Sequence, residues 1–102
     1  MNTTYENNLA HCRQSASSKL ELVGRQVLAA AAFEGTGRTG LAHELLTMAL
    51  RELNAVIDMC TMVRHTCKTA DVYEEFDQLQ RRSRDLRSFV TADWQRLAAE
   101  LN

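Results

Sequence analysis

The sequence contains no proline, and three of its four glycines fall within residues 35–40. With so few interruptions elsewhere, only helices fill the long remaining stretches. No apolar run approaches the roughly 20 residues of a membrane span. Residues 1–6 lack the basic start and apolar stretch of a signal peptide. Both absences predict a soluble, cytoplasmic protein. The three cysteines, Cys12, Cys60 and Cys67, are too few and odd in number for a closed disulfide framework, which predicts reduced thiols. A net charge of -1 removes the electrostatic argument for nucleic acid as the main partner.

What is present is 102 residues, 45% of them hydrophobic and 25% charged. That describes one domain, residues 1–102, with a small but adequate core. The first predicted helix covers about residues 4–33. Tyr5, Leu9, Cys12, Ala16, Leu20, Val23, Val27 and Ala31 recur at spacings of three and four, on one helical face. Thr3 with Glu6 forms a capping box at its start, because each side chain accepts an otherwise orphaned backbone N–H. Ser18 with Glu21 forms a second, so two readings stand: one long helix with a weak middle, or a break near residues 13–18. The apolar phase runs through the serines and favours one helix.

The second predicted helix, residues 41–68, is the most informative. Glu44, Thr47, Arg51, Asn54, Asp58, Thr61 and His65 form one narrow polar stripe. Most of the rest is apolar, including Leu41, Leu45, Met48, Leu50, Ala55 and Met62. An ordinary surface helix buries one stripe; this one asks for cover on two sides and belongs in the middle. The third predicted helix, residues 72–101, opens on an Asp71–Glu74 capping box. Its near-heptad seam reads Val72, Phe76, Leu79, Ser83, Leu86, Val90, Trp94, Leu97 and Leu101, flanked by Tyr73 and Phe89. Residues 68–71 between the last two helices hold neither glycine nor proline, so the turn is tight. The alternative is one continuous helix of about 60 residues, but the seam shifts phase by roughly one residue across 67–72, which supports a turn.

Few motifs point to chemistry. Gly35, Gly37 and Gly40 satisfy a G-x-G-x-x-G spacing, but that fingerprint must follow a strand and needs βαβ units this chain has no room for. A helix C-cap and interhelical connector is the better reading. Metal ligation by Cys60 and Cys67 lacks His or carboxylate partners at helical spacing, so both are expected to be buried structural thiols. His65 and Lys68 match the H-x-x-K of phosphotransfer bundles only in part, since Thr69 stands where that pattern has glycine. No acid–base pairing or nucleophile elbow occurs, and neither catalysis nor a cofactor is expected.

Residues 23–56 resemble a tetratricopeptide repeat, with Ala30, Phe33, Gly37, Ala42, Leu46 and Ala49 at its small, aromatic, turn and packing positions. Gln26 and Asn54 depart from it. Carried onward from Ile57, the pattern places Arg64, Asp71 and Phe76 at its small, turn and alanine positions, so no tandem array exists. The resemblance implies a helical hairpin of the kind used as a protein-binding scaffold.

The architecture expected is all-α: three long helices in an antiparallel bundle, completed by dimerisation because helix two has more apolar circumference than two neighbours cover. The function expected is a small, non-catalytic interaction module, an adaptor, regulator or chaperone-like factor of bacterial or phage character, with a second copy or another protein as partner. Candidate interface residues are Leu46, Leu50, Leu53, Ile57, Met59, Phe76, Leu79, Leu86, Phe89 and Trp94. The alternative is a nucleic-acid-associated regulator using Arg81, Arg82, Arg84 and Arg87. Residues 71–102, however, hold 5 Arg against 7 Asp plus Glu, with pairs such as Asp77 and Arg81 at i,i+4 spacing.

Overall fold

A computed structural model of the chain describes residues 3–102, with the side chain of Thr3, and so the Thr3–Glu6 capping box, outside that description. Three helices and no strand occur among the described residues: α1 (Thr3–Gly35), α2 (Thr39–Thr66) and α3 (Ala70–Leu101). α1 runs unbroken through the serines, as a single long helix. Its buried line is Leu9, Ala16, Val23 and Ala30, every seventh residue, which is the coiled-coil repeat. The expected Ala31 is exposed and Ala30 takes its place, because a seven-residue period falls steadily behind the 3.6-residue turn.

The α1–α2 connection is residues 36–38. Gly37 adopts φ 79, the left-handed conformation that costs glycine least. There its N–H donates to the Glu34 carbonyl at 3.0 Å, and the Arg38 N–H donates to that of Phe33 at 2.8 Å. α2 therefore begins two residues before the expected start. It ends at Thr66, where Cys67 turns extended (φ -68, ψ 154), so no helix runs continuously from 41 to 101. The cap of α3 differs from the expected one. Thr69, extended at φ -132 and ψ 153, accepts the Val72 N–H on its hydroxyl at 3.2 Å. That leaves Asp71 in the first turn, where a carboxylate favours the positive end of the helix dipole.

α2 packs along both α1 and α3, while the backbones of α1 and α3 scarcely approach each other. The central place expected for helix two is thus observed. Lys19 pairs with Glu52 at 3.1 Å, and the Lys68 N–H donates to the Tyr5 hydroxyl at 2.9 Å. On the other side, Trp94 Nε1 donates to Thr47 at 2.8 Å and Arg87 to Asn54 at 2.9 Å. Long ion pairs join α1 to α3, Arg13 to Glu75 at 2.7 Å and Arg96 to Glu34 at 2.6 Å, each spanning 62 residues.

The result is a rod. It measures 56 × 18 × 16 Å, with a radius of gyration of 16.1 Å against about 13 Å for a compact chain of this length. Its accessible surface is 6611 Å², where about 5,800 Å² is usual for this mass. The core divides lengthwise. Val23, Leu46, Leu53, Val90 and Leu97 lie toward the glycine turn, and Leu9, Val56, Cys60, Val63 and Phe76 toward the other end.

Candidate interaction surface

The core line of α2 is Ala42, Ala49, Val56 and Val63, interleaved with Leu46, Leu53 and Cys60. Four candidate interface residues fall instead inside this chain's own core. Leu46, Leu53, Ile57 and Phe76 are closed off from solvent, Leu53 and Phe76 at 0% exposure. Leu46 and Leu53 cluster with residues of α1 and α3, and Phe76 clusters with Leu9 of α1 and Val56, Cys60 and Val63 of α2. Leu50, Met59, Leu79, Leu86 and Trp94 are half-buried at the rims of the core clusters. Phe89 alone of the ten is widely open, at 76% exposure.

One residue ahead of the core line runs a second period-seven line on α2: Leu41, Met48, Ala55 and Met62. All four are exposed, the large ones at 45%, 47% and 55%. α1 and α3 cover the neighbouring line and leave this one bare. Beside it run Glu44, Arg51, Asp58 and His65, also exposed and also seven residues apart. The other half of the expected polar stripe is not free. Thr47 and Asn54 accept from Trp94 and Arg87, and Thr61 accepts from Gln80 at 2.6 Å, so α3 uses that row for hydrogen bonds.

One large apolar side chain also stands open on each of α1 and α3. Leu28 is 73% exposed, and the register set by the two long ion pairs brings it to the level of Phe89. The hydropathy of α1 alone gave no sign of this, because Leu28 lies outside the helix's apolar face.

The arginines do not gather into one patch. Arg81 is held by Asp77 at 3.1 Å, and Arg87 by Asn54. Arg82 and Arg84 are exposed, but two positions along a helix they point to opposite sides, about 200° apart. Nearby, a polar network missed in the sequence ties α2 to α3. Gln80, 1% exposed, donates to the Ile57 carbonyl at 3.0 Å and to Thr61, and accepts from Arg64. Arg64 also donates to the Tyr73 hydroxyl at 2.8 Å and lies 3.5 Å from Asp77. Polar Thr61 and Arg64 on α2 were the available clue to this inward glutamine. His43 stacks on Trp94 at 5.0 Å between ring centroids.

All three thiols are free. Cys60 is buried, whereas Cys67, expected buried, is half-exposed because it caps α2. Burial pushes the Cys60 thiol up to about 11, the reverse of what a nucleophile needs. Among the described residues no three His, Cys, Asp or Glu side chains converge as a metal site would require. Nor, among the described residues, is any helix long and apolar enough to cross a membrane. No family model, curated protein or solved structure matches this chain.

Proposed function

We propose that the chain is a small, non-catalytic protein–protein interaction module of the adaptor, regulator or chaperone-like kind: one domain, an antiparallel three-helix bundle, acting in the cytoplasm. The observation that carries this reading is the bare line of Leu41, Met48 and Met62 beside the core line of α2. Scattered single apolar residues are normal on a protein surface, but an aligned row along the central helix is what a docking face presents. The antiparallel course is supported by the contacts at the ends of the rod, where Tyr5 meets Lys68, and along α3, where Thr47 meets Trp94. A second copy of the chain is the partner favoured first, because two-fold homodimers are the commonest closed assembly.

The test pairs sedimentation equilibrium at micromolar concentration with binding of a hydrophobic dye. A dimer, or a monomer whose dye binding drops on Met48→Glu and Phe89→Glu substitution, is the expected result. A monomer that binds no dye refutes the reading.

A further inference from the structure

We propose that α2 pairs with α2 of a second copy about a two-fold axis between Asn54 and Ala55, with the helices running in opposite directions. This rests on the interaction reading above and adds the surface and register.

The charge pattern beside the bare apolar line decides the geometry. Glu44, Arg51, Asp58 and His65 alternate acid and base at seven-residue intervals and stand on one exposed side of α2. Arg51 and Asp58 make no ion pair among the described residues. In a parallel pair each group would face its own copy, acid on acid and base on base. In an antiparallel pair the two-fold keeps this row on the same side of both helices, so the row meets its own reverse. Centring on Arg51 or Asp58 opposes like charges. With the axis between Asn54 and Ala55, Arg51 meets Asp58 of the partner subunit, Glu44 meets His65 of the partner subunit, and the symmetry repeats both contacts.

The apolar line fits the same register. Ala55 lies beside the axis, where a small side chain lets the backbones approach. Met48 then falls within one residue of Met62 of the partner subunit, and methionine adapts readily to such a contact. α1 and α3 pack against the buried residues of α2 and leave Leu41, Met48, Ala55 and Met62 exposed to this approach.

Sedimentation equilibrium of the full-length wild type, Arg51→Glu, Asp58→Arg and the double variant tests the register. The wild type is expected to dimerise. Each single reversal creates two repulsive pairs per dimer and should weaken it by about tenfold or more, while the double variant should return to within a few-fold of wild type. Helix content and the melting temperature of the monomer should not change in the single variants, because neither side chain has a hydrogen-bond or ion-pair partner among the described residues. A dimer indifferent to both reversals overturns this register but leaves the interaction reading in place. A monomeric wild type overturns the proposal, and dye binding by that monomer then decides separately whether the interaction reading survives.

Discussion

Phe76 separates a core role from an interface role. Its ring is fully buried between α3 and the facing residues of α2 and α1, in the cluster with Leu9, Val56, Cys60 and Val63. Truncation to alanine removes the ring and leaves a void that neighbouring helices fill only in part, a loss of about 3–5 kcal/mol. A chain of this length has a total stability of about 5–15 kcal/mol, so Phe76→Ala stands near the edge of folding. Phe76→Leu removes three carbons at roughly 0.8 kcal/mol each and should cost about 2 kcal/mol. Urea unfolding followed by circular dichroism measures both. Phe76 is internal to one chain, so the difference between wild type and Phe76→Leu must stay the same when protein concentration is varied tenfold or more. Were Phe76 an interface residue, the variant would instead lose dimerisation, and its deficit would shrink as concentration rises. A concentration-dependent deficit, or a loss under about 1 kcal/mol for the alanine variant, would refute the burial argument.

Cys60 should resist alkylation in the native protein while Cys12 and Cys67 react; modification of Cys60 at the rate of a free peptide thiol would contradict its burial. With its folded pKa raised from 9.0 to about 11 by desolvation, its contribution to stability is present in full below about pH 9 and is lost as pH rises toward 11, which urea midpoints across that range report. Gly37→Ala should cost about 1 kcal/mol because φ is positive there, whereas Gly24→Ala, inside α1 with open space around the new methyl, should gain about 0.5–1 kcal/mol. A gain for Gly37→Ala or a loss for Gly24→Ala in thermal melts would refute the backbone reading. Hydrogen bonds from Arg96 and Arg13 hold the Glu34 and Glu75 carboxyls below the ordinary 4.5. Their contribution is therefore complete above that value and lost as pH falls through the lowered one. Arg96→Met and Arg13→Met should flatten the acid limb of the stability curve, and an unchanged limb would count against these clamps.

The sequence alone determined what depends on local chemistry. Helices are the only elements a proline-free chain with clustered glycines builds over such lengths, and α2 came within two residues at both ends. The apolar surplus of α2 placed it between the others, and the Asp77–Arg81 pair followed from i,i+4 spacing. Tertiary structure decided which of two adjacent lines on α2 is core. Residues one position apart differ by about 100° around a helix. Hydropathy scores Leu41 and Met48 like Leu46 and Leu53, and only the positions of α1 and α3 distinguish them. The same reason buries Gln80, whose partners lie on another helix, and leaves Phe89 exposed. Thr69 rather than Asp71 caps α3 because the end of α2 fixes where the extended turn begins, a constraint set by packing two rods side by side.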